Sequence, residues 1–178
     1  PIVLYGDPVL QRRAQEIPAD FPDLEALIQN MFETMYTASG IGLAAPQIGQ
    51  SWRLFVLDAE LADAELYKGQ KRVFINPLIL EESGDPWPYA EGCLSIPEIR
   101  GDVTRKAIVR LRYEDAQRVV HEDSFDGMFA RIIQHEYDHL EGRLFIDHLS
   151  PLRRRLVQKK LQLIRNGKLR PEYKHRLR

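Results

Sequence analysis

The sequence predicts an α+β protein in which β-strands and short sheets surround one central helix that carries a His-Glu-x-x-His motif, followed by a C-terminal helix. Three observations carry this. Short runs rich in β-branched and aromatic residues recur through the first two thirds of the chain. A single apolar stripe at helical spacing leads into "QHEYDH", Gln134 to His139. Ser150-Pro151 then offers an N-cap and a first-turn proline ahead of a second helical stretch.

In chain order, residues 23–38 place Leu24, Leu27, Ile28, Met31, Phe32 and Met35 on one face of an amphipathic helix that stops near Ser39-Gly40. "GIGLAAPQIG", 40–49, reads as too small-sided for a core strand. Strands are expected from 52–61, from 72–82 with a break at Asn76-Pro77, from 107–115 and from 117–124, with "SGDPWPY" (83–89) as a turn-rich loop and Pro97 ending any strand before it. The central helix is expected over 124–141, with Phe125, Met128, Phe129, Ile132 and Ile133 inward, and the last helix over 151–165, docked through Leu152, Leu156 and Ile164. No repeat or linker divides the chain, so residues 1–165 are expected as one catalytic domain and 166–178 as a basic, flexible tail.

The chain's 178 residues are 44% hydrophobic and 29% charged, which suits a globular core and excludes a disordered or collagen-like chain. No run of eighteen apolar residues is present, and "PIVLYGDPVL" lacks a basic segment followed by an apolar core, so the expected location is the cytoplasm. One cysteine, Cys93, permits no intrachain disulfide. The net charge of −1 is uneven: residues 151–178 hold eleven Lys/Arg against Glu172, leaving −11 on the rest.

Residues four apart share a helix face, so His135 and His139 can aim two imidazoles at one ion, with Glu136 beside them as a base for water. Two histidines leave the site incomplete. The continuation H-x-x-G-x-x-H of one protease group fails here, because Phe145 stands where its third histidine belongs and His148 lies three residues out of register. A downstream glutamate ligand is offered only by Glu141, crowded beside the motif, and Glu172 in the basic tail. Upstream, Cys93 in "EGCLSIP" supplies a thiolate, and two imidazoles plus a thiolate leave a fourth position open, which is the catalytic arrangement.

Three segments in this order, "GIGLAAPQIG" (40–49), "EGCLSIP" (91–97) and "QHEYDHLEG" (134–142), resemble the three signature motifs of the peptide deformylases, in the form found in bacterial members of the main catalytic type. That resemblance spans nearly the whole chain. It implies hydrolysis of the N-formyl group from the formyl-methionine that begins newly made proteins, releasing formate. It further implies Cys93, His135 and His139 as metal ligands, Glu136 as general acid/base, and Gln47 with the backbone N–H of Leu94 as donors to the developing oxyanion. Gln47 by itself also reads as an amide that tethers its loop.

On the same reading Gly42 belongs to a rim that pairs with the substrate backbone. Gly92 allows a close backbone approach, Arg100 borders the entrance, and Ile41, Met128 and Ile132 form the apolar pocket for the methionine side chain. Glu91 and Arg105 are expected to pair behind Cys93, while Arg131 is left without a role. The donor set by itself suits Zn²⁺; the resemblance implies one Fe²⁺ per chain, with Ni²⁺ or Co²⁺ as substitutes. Expected partners are N-formyl-methionyl peptides and, through the basic tail, the ribosome; a monomer is expected. Two rival readings are an endopeptidase, which Phe145 opposes, and a ribosome-binding protein with a structural metal, which Glu136 and the open position oppose.

Overall fold

Alternation along one strand organises the core. In "LFVLD", Leu54 and Val56 face one way, Phe55 and Leu57 the other, and all four are fully buried. Such a strand needs cover on both faces, and the computed structural model, which describes residues 1–177, supplies a helix on each. The elements are β1 (Ile2–Val3), α1 (Leu24–Thr37), β2 (Gly42–Ala44), β3 (Leu54–Asp58), β4 (Lys71–Ser83), β5 (Trp87–Cys93), β6 (Ile96–Arg105), β7 (Ile108–Glu114), β8 (Val120–Asp126), α2 (Gly127–Leu140), α3 (Pro151–Arg165) and β9 (His175–Arg176), with short 3₁₀ turns between several of them. Strands β2-β3-β4-β7-β8 form an antiparallel sheet, β5-β6 a separate ribbon, and β1-β9 a short parallel pair. This is the expected α+β architecture.

Ile28, Met31, Phe32 and Met35 of α1 cover Leu54, Val56 and Ile75. Phe129, Ala130, Ile132 and Ile133 of α2 cover Phe55, Leu57, Phe74, Val109 and Leu111 on the opposite face. Phe74 is the hub of this second core: its ring lies 4.6 Å from Phe55, 4.5 Å from Tyr113 and 6.0 Å from Phe125. A third core joins β1, the ribbon and α3 through Ile2, Leu4, Ile96, Val103, Phe145, Leu161 and Ile164.

Helix ends follow local chemistry. Ser150 Oγ accepts from the Arg153 N–H at 3.3 Å and Pro151 opens α3, so that helix spans 151–165 as expected. α2 ends in a Schellman arrangement: Gly142 at φ 70° donates to His139 O, and Arg143 N donates to Asp138 O at 2.8 Å.

Several expectations are corrected. The Gly/Ala-rich stretch does contain a strand, β2, which pairs antiparallel with β3, and Gly42 within it lies too close to Glu136 of α2 for a side chain. β4 does not break at Asn76-Pro77; it shifts register between Ile75 and Leu78, and the Asn76 side chain exchanges two hydrogen bonds with the backbone of Ile17. Pro88 and Pro97 sit inside β5 and β6, which a two-stranded ribbon tolerates because each strand keeps a free edge. Residues 124–126 belong to β8 rather than to the central helix. Leu152 and Leu156 are 68% and 67% exposed; α3 docks through Ile164, as expected, but with Val157 and Leu161 in their place.

The segment expected as a free tail returns to the body. Leu169, Tyr173 and Leu177 pack on the third core, Ile2 N donates to Lys174 O at 3.0 Å, and the Tyr173 hydroxyl donates to Leu94 O at 2.5 Å. The basic residues between them hid this apolar spacing. Among the described residues no helix is long and apolar enough to cross a membrane.

Because Phe74 joins three aromatic neighbours in a closed layer, Phe74→Ala is expected to cost about 3–5 kcal/mol of stability by urea denaturation.

Candidate active site

The i, i+4 spacing on α2 brings the rings of His135 and His139 to 5.3 Å between centroids. The ribbon delivers the third group: β5 ends at Cys93, whose Sγ lies 3.4 Å from His139 Nε2. One donor atom from each of Cys93, His135 and His139 lies within 4.8 Å of the others, a cluster able to hold a metal ion.

Two residues before Cys93 on the same strand face, Glu91 holds the cluster from behind. Its Oε2 lies 2.9 Å from His135 Nδ1, so Nδ1 donates to the carboxylate and Nε2 is left for the site. The same carboxylate receives Arg105 Nε at 2.7 Å, Arg105 Nη2 at 3.0 Å and Arg131 Nη1 at 3.0 Å. Burial pushes the Glu91 carboxyl up, but hydrogen bonds from His135 and Arg105 outweigh it and hold the group well below the usual carboxylate range. The Glu91–Arg105 pair is where the sequence placed it. Arg105 extends the network to Asp138 at 2.8 Å, and Asp138 reaches His148 Nε2 at 2.7 Å.

Cys93 is held as a thiolate. Burial raises its thiol, but the charge of His139 and hydrogen bonds from both histidines bring it down to about 5. Glu136 differs: burial lifts its carboxyl to about 7 against the pull of His135 and His139. Its Oε2 and the Nδ1 of His139 are buried without a hydrogen-bond partner. The orphaned Glu136 oxygen, beside a converging thiolate and two imidazoles, fits a site completed by an ion and water.

Gln47 tethers its loop, as one reading of the sequence expects. Its Oε1 accepts from Ala44 N at 2.8 Å, tethering the loop, while Nε2 lies 3.4 Å from Cys93 Sγ and 3.4 Å from Ser95 Oγ. A cleft of about 400 Å³ opens over these groups. Ile41, Gly42, Gln47, Gly92, Leu94, Arg100, Met128 and Ile132 all line it with His135 and Glu136, and His139 is buried beneath.

Sequence reasoning gave Arg131 no role and missed Tyr173; both line the same cleft. Arg131 donates to Val103 O at 2.8 Å and Trp87 O at 2.6 Å, and its guanidinium lies 4.3 Å from the Trp87 ring centroid. Its position four residues before His135, on the same helix face, was the available signal.

Comparison with known proteins agrees with this geometry. The family model described as polypeptide deformylase matches residues 1–155. The chain belongs to the polypeptide deformylase family. It is a hydrolase of that family. It is 50% identical to the peptide deformylase of Christiangramia forsetii over 99% of this chain and 94% of that one, and 53% identical to that of Cytophaga hutchinsonii over 94% and 91%. A peptide deformylase structure from Plasmodium falciparum superposes with a TM-score of 0.87 at 39% identity, covering 94% of this chain and 96% of that one.

A Cβ built on Gly42 would meet Glu136 Oε1 at 2.5 Å and Cδ at 2.9 Å. Gly42→Ala is therefore expected to displace the Glu136 carboxylate. Formate release should fall at least about tenfold, with bound metal per chain unchanged by elemental analysis.

Proposed function

We propose that this cleft removes the N-formyl group from the formyl-methionine of newly made proteins, with one Fe²⁺ per chain held by Cys93 Sγ and the imidazoles of His135 and His139. The observation that carries the reading is the convergence of three neutral-pH donors beside a buried carboxylate with an unpartnered oxygen, at the floor of an open cleft. When bound, the ion supplies Lewis acidity at the formyl carbonyl and makes water nucleophilic near neutral pH. Thiolate and imidazole softness also suits Zn²⁺, and Ni²⁺ or Co²⁺ fit as substitutes; the preference for iron rests on the family resemblance.

Glu136 takes a proton from the attacking water at Oε2 and returns it to the departing amine, so that water and formamide become formate and a free N-terminus. Gln47 Nε2 and the Leu94 N–H donate to the oxyanion, each worth roughly 3 kcal/mol in the transition state. Ile41, Met128 and Ile132 accept the methionine side chain, and Arg100 borders the entrance. β2 is the end strand of its sheet, so Gly42 offers free backbone groups along which an extended substrate can pair.

Two substitutions separate ligation from proton transfer. Cys93→Ser should lose most of its tightly held metal, because a hydroxyl is a poor substitute for a thiolate. Glu136→Gln should retain one equivalent while deformylation falls by at least about 10²-fold. The check is metal analysis after anaerobic purification with a formate-release assay on the same sample. A metal-replete Cys93→Ser protein, or an active Glu136→Gln protein, would overturn the assignments.

The proposed setting is the cytoplasm, with the enzyme working as a monomer near the ribosome. α3 exposes Arg153, Arg155 and Lys159, and the returning segment exposes Lys168, Arg170 and Lys174. This surface suits a phosphate backbone. Because residues 168–177 pack on the body, neutralising charge is a cleaner test than truncation. Replacing Arg153, Arg155 and Lys159 by Gln should weaken cosedimentation with ribosomes at low salt, while kcat/KM on a short formyl-Met peptide stays within about twofold.

A further inference from the structure

The hairpin that presents Cys93 is irregular. Gly92 pairs with Arg100, but the next residue, Cys93, pairs with Ile96, so Leu94 and Ser95 alone form the tip and three residues of β6 are left out of register. Two-residue hairpin tips match the twist of their strands when the first central residue has positive φ. Leu94 and Ser95 are absent from the residues with positive φ, whereas Glu98 in the displaced stretch has φ 60°. The turn that carries both a metal-binding thiolate and a backbone donor is thus not one that its own sequence favours. It needs support from outside the hairpin.

That support comes from three separate parts of the chain. Tyr5 N donates to Ser95 O at 2.8 Å. Gln47 Nε2 reaches Ser95 Oγ. The Tyr173 hydroxyl donates to Leu94 O, 79 residues away in sequence. Burial holds the Tyr173 phenol above its ordinary range, so it remains a donor at neutral pH. Tyr173 is itself fixed from both sides: Leu169 and Leu177 pack on the third core, and Ile2 and Leu4 donate to Lys174 O and Arg176 O across the β1-β9 pair.

We propose that Tyr173 is a positioning residue for the hydrolysis: its hydroxyl fixes the Leu94–Ser95 peptide plane and so, through the Leu94 backbone dihedrals, restrains the adjoining Cys93–Leu94 plane that carries the Leu94 N–H beside the Cys93 ligand. The C-terminal segment is then part of the active-site frame. This rests on the deformylase reading of the cleft.

Tyr173→Phe keeps the ring that anchors the segment and removes only the hydroxyl. In the metal-loaded enzyme, kcat on a formyl-Met peptide should fall about tenfold, with KM within about twofold and metal content unchanged. Amide hydrogen exchange should accelerate at least about fivefold in the peptide spanning 90–97 and stay unchanged in those spanning 1–5 and 168–177. A kcat within twofold of wild type would overturn the proposal. So would a loss of kcat accompanied by faster exchange in both terminal segments, since Tyr173 would then be only an anchor for β9. If the wild-type enzyme itself released no formate, the deformylase reading would fail instead, and the exchange comparison would still show whether the hydroxyl holds the turn.

Discussion

The Glu91 carboxylate is the constraint on which the site depends. It is nearly inaccessible, and four nitrogen contacts from three side chains converge on it: two from Arg105, one from Arg131 and one from His135. These partners come from different elements, Arg105 from β6 and the other two from α2, so one buried charge joins the ribbon to the helix. A buried carboxylate stripped of a partner is expensive, about 3–5 kcal/mol where such pairs are broken from one side. The cost is offset here because several donors satisfy its lone pairs at once. What this arrangement fixes is relative position: Cys93 lies two residues along β5 from Glu91, and His135 is held by it directly. The distance between thiolate and imidazole therefore follows from the geometry of one ion cluster.

How the protein holds its chemistry also follows from the division of its core. Leu94 packs against both the β1–α3 core and the α1 core, while Ile41 and Met128 belong with the sheet–α2 core. The cleft opens where the three meet. A site at such a seam can expose backbone and polar groups to a substrate without removing side chains from the interior of any one core. The cost falls on the seam residues: Gly42 has no room for a methyl group against Glu136, and Gln47 uses its carbonyl oxygen to hold Ala44.

The sequence was most legible where one residue type can do one thing. Cys93, His135 and His139 were identifiable because few side chains bind metal, and the boundaries of α3 because Ser150 and Pro151 act at a single position of a helix. It was least legible where structure depends on approach between distant segments. Gly42 in β2 has no room for a side chain because Glu136 of α2 lies against it, and nothing within 40–49 announces that neighbour. Pro88 and Pro97 read as breaks because their tolerance depends on a ribbon with free edges. The docking face of α3 was assigned to Leu152, Leu156 and Ile164 because several apolar registers were available; Ile164 is in the third core, but only that core selects Leu161 over Leu152 and Leu156. Arg131 had no assignable role and Tyr173 escaped notice because much of what they do lies in hydrogen bonds to backbone carbonyls, which leave no pattern in side-chain type.

The hydrogen bond from Tyr173 to Leu94 also imposes an order in time. A chain emerges from its N-terminus at about 5–20 residues per second, so the 79 residues between donor and acceptor correspond to roughly 4–16 s of synthesis. For that interval a nascent copy already has Cys93 and gains His135 and His139, yet lacks the phenol that fastens the turn between them. The parallel pairing of β1 with β9 is delayed in the same way, leaving Ile2 and Val3 waiting for a strand made at the opposite end. On the reading in which Tyr173 positions the turn, the finished frame waits for translation of the C-terminal segment, and an interrupted copy would carry Cys93, His135 and His139 without it.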